Sequence, residues 1–295
     1  MQLETIITLA NRNVRLRFLA MERSLRASGC DLPLRVIPYD DQTFDLPANA
    51  TWWSLPEMID WTKRWKTHPT MRKYQCLTVP NHQFVDADVC FLRNPVEALA
   101  GSDGFITSCS HWHNPAETTT AQSVAFYKTR STTWQQGIFN TGQWACDRAL
   151  YALPELFRQA EADGFKETCV TFPWHEQPGV NLLVNASGVP IRNLTLRPSR
   201  MQSTWAGDYP GEYRSYWRTE EETPYLIHWA GLPMNGPRPI NEIFLSYLTR
   251  QERAEWDEQV RAKVERNRQK ARSLKGRFTS YGRALRNFTR DVFAG

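Results

Sequence analysis

The chain has 295 residues, of which 41% are hydrophobic and 23% charged, the balance of a globular protein long enough to bury one large core. No stretch approaches the roughly 20 apolar residues of a membrane span, which argues against an integral helical membrane protein, and the opening residues lack the basic, apolar pattern of a secretory leader. The six cysteines (Cys30, Cys76, Cys90, Cys109, Cys146 and Cys169) form no Cys-x-x-Cys pair. They are therefore read as buried thiols of a reduced, cytoplasmic protein, with a few disulfides as the alternative that an even number leaves open, and not as a zinc knuckle or a dithiol centre. The net charge of +5 is unevenly placed: Arg261 to Arg290 carries eleven Lys or Arg and a single acidic residue, Glu265.

Along the chain, Ile6-Ile7-Thr8-Leu9 reads as a first strand. Val14 to Ser28 has Leu16, Leu19, Ala20, Arg23 and Ala27 at helical spacing, with Gly29 as its C-cap. Leu34 to Pro38 is a second strand, so the opening is a strand–helix–strand unit with parallel pairing. Residues 40–55 have the Asp, Pro and Asn content of a loop, and Met58–Trp65 and Met71–Thr78 can be helical. Gln83-Phe84-Val85 is a short apolar strand running into Asp86-Ala87-Asp88. Residues 94–100 form a short helix behind Asn94-Pro95, and Gly104 to Thr107 another strand. Ser108 to Thr133 is a long polar connection of the kind used for lids and binding loops. A helix is expected from Asp147 to Ala162, a second one opened by Glu176-Gln177-Pro178, then short strands to Trp229. Beyond about residue 240 the pattern is helical and charged.

Two carboxylates at the carboxyl end of an apolar strand have a clear chemical use. Open α/β sheets bind ligands beyond the carboxyl ends of their strands, and paired carboxylates there form a hard oxygen site for Mg2+ or Mn2+ bridging a diphosphate. Asp-x-Asp alone also describes a solvated turn.

Further segments, in order, carry a resemblance. Thr8-Leu9-Ala10-Asn11 followed by a helix with Ser24-Leu25, Phe84-Val85-Asp86-Ala87-Asp88, Phe139-Asn140-Thr141-Gly142, Glu176-Gln177-Pro178-Gly179-Val180-Asn181 and His228-Trp229-Ala230-Gly231 together resemble the GT-A glycosyltransferases of the glycogenin-like and lipopolysaccharide-galactosyltransferase-like type. The resemblance covers roughly residues 3 to 235. It implies an α/β, Rossmann-like nucleotide-diphospho-sugar transferase fold with a mixed central sheet, spanning residues 1–240, and a helical, basic C-terminal extension over 241–295. It also implies transfer of a hexose from a nucleotide-sugar donor, UDP-linked in most of the family, with retention of configuration.

The roles implied are these. Asp86, Asp88 and His228 hold the metal, Mn2+ by preference because an imidazole joins oxygen ligands, with Mg2+ as the alternative. Thr8, Ala10, Asn11, Arg72, Asp86 and Gly231 contact the donor. Asn140 meets sugar hydroxyls, while Gln177 and Glu176 stand at the reacting face. In one version Gln177 stabilises the oxocarbenium-like centre and Glu176 orients; in the other Glu176 is a nucleophile. One departure stands out: where the family has a diphosphate-binding Lys six residues after the histidine, this chain has Met234, and the next cation, Arg238, is the donor-binding candidate for that role.

His111-Trp112-His113 and His175 are candidate sugar or acceptor contacts, the first pair also a candidate chelate. The basic segment 261–290, with Phe278, Tyr281 and Phe288 interspersed, suits either the anionic inner face of a membrane carrying a glycan or lipid-linked acceptor, or an exposed charged helix. Competing readings are an inverting transferase, a nucleotidyltransferase, which would favour a glycine-rich loop absent from Leu9 to Leu16, and a non-catalytic sugar or nucleic-acid binder. The last explains the tail but not the Asp86, Asp88 and His228 set.

Overall fold

The computed structural model describes residues 1–171, 175–199 and 201–272. They fall into two units, Met1–Tyr247 and a C-terminal one beginning at Leu248.

The first unit is organised by strand β1 (Thr5–Ala10), whose β-branched and aliphatic residues are all buried. It is followed by helix α1 (Arg15–Ala27), which Gly29 terminates at φ +83°, a conformation that costs glycine little. The chain returns as β2 (Leu34–Pro38), parallel to β1 with Ile6 opposite Leu34. After β3 (Ala50–Trp52), α2 (Pro56–Trp65) and a 3-10 helix over Pro69–Thr78 comes β4 (His82–Val85), which pairs in parallel with the other edge of β1. Next are β5 (Val89–Phe91), α3 (Pro95–Ala98), β6 (Phe105–Thr107), α4 (Ala121–Arg130), β7 (Gln143–Cys146) and α5 (Leu153–Glu161). The unit closes with α6 (Gln177–Ser187), β8 (Ile191–Asn193), β9 (Leu226–His228) and α7 (Asn241–Ser246).

Seven strands make one sheet in the order β3-β2-β1-β4-β7-β6-β8, mixed because β7 runs antiparallel to both β4 and β6. Alternation along β1 divides the core. Ile6 and Ala10 face a cluster with Phe18, Met21 and Leu25 of α1, whereas Ile7 and Leu9 face a second cluster with Leu156 of α5 and Leu182 and Val184 of α6. On that second face Phe84 lies opposite Trp144, their rings stacked at 4.4 Å.

Three expectations need correction. Residues 40–55 are not all loop, since Ala50–Trp52 adds an edge strand to β2; three residues are too few to show alternation. Within the long polar connection, Ala121–Arg130 is helical, capped reciprocally by Thr120 and Ser123. It buries only Ser123 and Tyr127, so it displays no apolar stripe. The expected helix from Asp147 starts at Leu153, because Gln143–Cys146 is drawn into the sheet between β4 and β6 and Asp147 accepts the Gly104 amide at 2.8 Å. The six thiols are buried and unpaired, as their distribution suggests.

Helix α7 is held in the first unit: Trp229 Nε1 donates to Asn241 Oδ1 at 2.8 Å, and Arg23 of α1 donates to the Tyr247 carbonyl at 2.8 Å. The second unit contains α8 (Arg250–Arg272), which takes in the start of the basic segment. Its remainder, residues 273–290, with Phe278, Tyr281 and Phe288, lies outside the described residues. Among the described residues no helix is long and apolar enough to cross a membrane.

Candidate functional site

The Asp-x-Asp segment is the turn between β4 and β5, at the carboxyl end of the sheet's central strands. Two backbone bonds hold it: Asp86 N donates to the Gly142 carbonyl at 2.7 Å, and Trp229 N to the Asp88 carbonyl at 3.0 Å. Strands β5 and β9 form a separate antiparallel pair in which Val89 lies opposite His228. That register delivers the histidine to the carboxylates. His228 Nε2 is 3.3 Å from Asp88 Oδ1 and 3.8 Å from Asp86 Oδ2, and one ligand atom from each of the three lies within 4.8 Å of the others. Two carboxylates and an imidazole converging in this way could hold a metal ion.

The two carboxylates are not equivalent. Burial raises the Asp86 pKa against the attraction of Lys73. Burial also opposes ionisation of Asp88, but the hydrogen bond and charge of His228, and then Arg17, bring it down to about 2.

Gly142 is fitted to the histidine. A Cβ on Gly142 would lie 1.9 Å from His228 Cε1, and Asn140 Oδ1 accepts the Gly142 amide at 2.8 Å. The Asn140–Gly142 turn therefore ties down Asp86 and seats His228 together.

Beside the carboxylates lies a cation the sequence does not single out. Lys73, on the 3-10 helix, is 3% exposed, with Nζ 2.8 Å from Asp86 Oδ1 and 2.6 Å from Glu176 Oε1. Burial alone would lower its pKa, yet the two carboxylates raise it above the ordinary lysine range, so the ammonium stays charged. Glu176 Oε1 also accepts from Thr141 Oγ1 at 2.8 Å, and its pKa is lowered: burial works against ionisation, and Lys73 prevails. Gln177 Oε1 accepts the Thr141 amide at 3.1 Å. Arg72, the neighbour favoured by motif matching, instead donates to the Pro38 carbonyl at the end of β2. Both residues stand on one irregular helix, and spacing does not tell which turns inward.

Two cavities meet at the carboxylates. The smaller, about 370 Å3, is lined by Leu9, Ala10, Asn11, Arg17 and Tyr39 together with Asp86 and Asp88. The larger, about 970 Å3, is lined by the same two carboxylates, Asn140, Glu176, Gln177 and His228 among others. Asn11 is oriented by its bond to Asp40 Oδ2 at 2.6 Å. Gly231, at φ +69°, borders the larger cavity. Thr8 is wholly buried within β1 and lines neither cavity, and neither does Arg238. Ser24 is structural: its hydroxyl accepts the Phe91 amide at 2.9 Å and pins β5 to α1. His111, His113 and His175 border the larger cavity, and among the described residues Asp86, Asp88 and His228 are the one set of three that could hold an ion. Trp205 and Asp208, which no motif marks, stand on the same wall as His111.

A mixed sheet with its carboxylate turn at the carboxyl ends of the strands, backed by a two-stranded ribbon, is a GT-A-like glycosyltransferase fold. The apo structure of the bifunctional glycosyltransferase WbbM shares it with a TM-score of 0.54 at 11% identity, over 88% of this chain and 52% of that one. This chain thus spans about half the length of WbbM. Galactosyltransferase LgtC, in complex with donor and acceptor sugar analogues, aligns with a TM-score of 0.49 at 13% identity, over 85% of this chain and 99% of that one. The glycosyltransferase GlyE of Streptococcus pneumoniae TIGR4 aligns at 0.48 with 11% identity, over 90% and 64%. No family model and no curated protein matches the sequence.

Proposed function

We propose that the chain is a metal-dependent glycosyltransferase that moves a hexose from a UDP-linked sugar to a hydroxyl of a glycan or lipid-linked acceptor, with retention. The observation that carries this reading is the meeting of two cavities at Asp86 and Asp88, one lined by the β1–α1 segment and the other by the Asn140, Glu176 and Gln177 wall. The nucleoside occupies the smaller, between Ala10, Asn11 and Tyr39. The transferred sugar and the acceptor share the larger, and the diphosphate lies at the junction.

Asp86, Asp88 and His228 would hold Mn2+ or Mg2+, which supplies positive charge to a departing nucleoside diphosphate. No lysine follows the histidine at the family spacing and Arg238 is outside both cavities, so the protein cation assigned to the donor phosphates is Arg17, which borders the smaller cavity with Asp88. Asn140 meets sugar hydroxyls. Glu176 is held at Oε1 by both Lys73 and Thr141, and it is assigned an orienting role rather than covalent catalysis. Gln177 then faces the positive charge developing at the anomeric carbon. The bond from that carbon to the phosphate oxygen breaks, the acceptor oxygen forms the new bond on the same face, and its proton passes to the leaving phosphate.

Activity at the cytoplasmic face of a membrane, with the basic segment 261–290 on anionic lipid, belongs to the same proposal. Vesicles containing an anionic lipid should retain the full chain at low salt and release it at high salt; equal retention by neutral vesicles would remove this part. Nucleic acid has no place in the reading.

The deciding experiment is hydrolysis of a panel of UDP-, GDP- and dTDP-sugars with and without Mn2+, and with Asp88→Ala as control. Turnover of one donor that needs Mn2+ and is lost in the control is the expected result. Failure of all three nucleoside diphosphates to bind in the presence of Mn2+ would end the reading.

A further inference from the structure

Strand β9, which ends in His228, is not part of the seven-stranded sheet: among the named strands it pairs with β5 alone. Its other edge is stitched to the sheet by a short segment. His228 N donates to the Thr204 carbonyl at 2.8 Å, and Trp205 bridges in parallel to His228. Thr204 N in turn donates to the Ser108 carbonyl at 3.1 Å, just beyond the end of β6. One side chain spans that stitch. Gln143, the first residue of β7, is wholly buried; its Oε1 accepts from Ser108 Oγ at 2.9 Å and its Nε2 donates to Thr204 Oγ1 at 3.3 Å.

The donors around it fix the orientation of this amide. Thr204 Oγ1 spends its proton on the Ser108 carbonyl at 2.5 Å, so toward Gln143 it can only accept. An amide bonded at both ends cannot turn over, and a buried network of this kind specifies one arrangement of the chains it joins. Gln143 also follows Gly142, whose carbonyl accepts the Asp86 amide at 2.7 Å. Its backbone therefore borders the carboxylate turn while its side chain holds the support of the histidine. Gln83, on the neighbouring strand, differs in one respect only. It is equally buried, and the register, with Gln143 opposite Val85 and Gln83 opposite Ala145, puts both amides on one face of the sheet. Gln83 Nε2, however, donates to the Tyr225 hydroxyl at 2.8 Å, a bond that involves neither Thr204 nor His228.

We propose that Gln143 is a positioning residue of the metal site, which sets through Thr204 where His228 presents its imidazole to Asp86 and Asp88. The inference rests on the reading of these three residues as metal ligands and adds the residue that holds the histidine in register with the carboxylates. Gln143 itself lines neither cavity and touches neither substrate nor ion. Its effect passes along two bonds, from the amide to the Thr204 hydroxyl and from the Thr204 carbonyl to the His228 amide. Groups one contact removed from a metal ligand act by orientation, and their loss commonly weakens metal binding by about ten- to a hundredfold.

The test titrates Mn2+ into the full chain with UDP present, following the ion's paramagnetic resonance, and measures urea unfolding in parallel. Gln143→Met keeps the side-chain volume and removes both bonds; Mn2+ affinity should fall by at least about tenfold. Gln83→Met, matched in residue type, burial and face, should lower the urea midpoint and leave Mn2+ affinity unchanged. Thr204→Val should reproduce the loss and Thr204→Ser, which keeps the hydroxyl, should retain the affinity. The double variant Gln143→Met/Thr204→Val should lose no more than either single, because both act on one path. Unchanged affinity in Gln143→Met, an equal loss in Gln83→Met, or losses that multiply in the double variant would overturn the proposal. Should Gln143→Met not fold, the two Thr204 variants decide, and equal affinity in them overturns it. Native protein that binds no Mn2+ with UDP, GDP or dTDP brings down the metal-dependent reading itself, and the positioning role with it.

Discussion

Lys73 Nζ lies 2.6 Å from Glu176 Oε1, a contact in which both side chains are almost fully buried. The same ammonium reaches Asp86 at 2.8 Å, so one cation ties the metal-motif turn to the N-terminus of α6. Removing it leaves the buried Glu176 carboxylate without its Lys73 counter-charge in a low-dielectric site, which is costlier than removing the whole pair. Lys73→Met should therefore lower unfolding free energy by about 3–5 kcal/mol, measured in urea. The double variant Lys73→Met/Glu176→Gln should recover part of that loss; no recovery would mean that the lysine acts elsewhere.

Gly142→Ala tests the seat of His228. The added methyl would sit 1.9 Å from Cε1 and 2.5 Å from Nε2 of the imidazole, so the ring has to move away from Asp88. A misplacement of this size at a ligand should weaken Mn2+ affinity by at least about tenfold. Titration of Mn2+ in the presence of UDP, followed by the ion's paramagnetic resonance, reads this directly. Unchanged affinity would show that the imidazole is not a ligand.

Arg17→Ala addresses the missing lysine. If Arg17 answers the donor diphosphate, its loss should raise KM for the sugar nucleotide by about tenfold and leave the affinity for the acceptor unchanged. Loss of Mn2+ affinity alone, with donor KM intact, would restrict Arg17 to supporting Asp88.

His82, on β4 and outside both cavities, sets a pH dependence of stability. Its ring is wholly buried, with Nδ1 donating to the Val79 carbonyl at 2.8 Å and Nε2 accepting from Trp144 Nε1 at 3.3 Å, which describes a neutral imidazole. Burial lowers its pKa from 6.5 to about 4. Between those values the unfolded chain binds a proton that the folded chain does not. This contribution is accordingly full above pH 6.5 and is lost as pH falls toward 4. The expected cost is about 2 kcal/mol at pH 5 relative to pH 7. Urea midpoints at the two pH values should differ accordingly, and the difference should shrink in His82→Gln.

The frame of this protein was legible in its sequence wherever a local pattern carries its own meaning. Ile6 to Leu9, the α1 stripe with Gly29 behind it, and Phe84-Val85 ahead of two aspartates state a parallel α/β unit with carboxylates at a strand end, because side-chain period and glycine conformation act over a few residues. Elements formed by their surroundings were not legible. Residues Ala50–Trp52 and Gln143–Cys146 are strands because a neighbouring edge needs backbone partners, and α4 buries too little to show a stripe.

The site divides in the same way. Asp86, Asp88, Asn140, Glu176, Gln177 and His228 were nominated from their motifs, and the fold gathers them around one pair of cavities. Only tertiary structure chose Lys73 over Arg72, left Thr8 and Arg238 outside both cavities, and brought Trp205 and Asp208 into the lining of the larger one. Which of two adjacent cations turns inward depends on the charges waiting for it, Asp86 and Glu176, and these arrive from remote parts of the chain. Local sequence specifies backbone conformation; the partner of a buried charge is decided when distant elements pack.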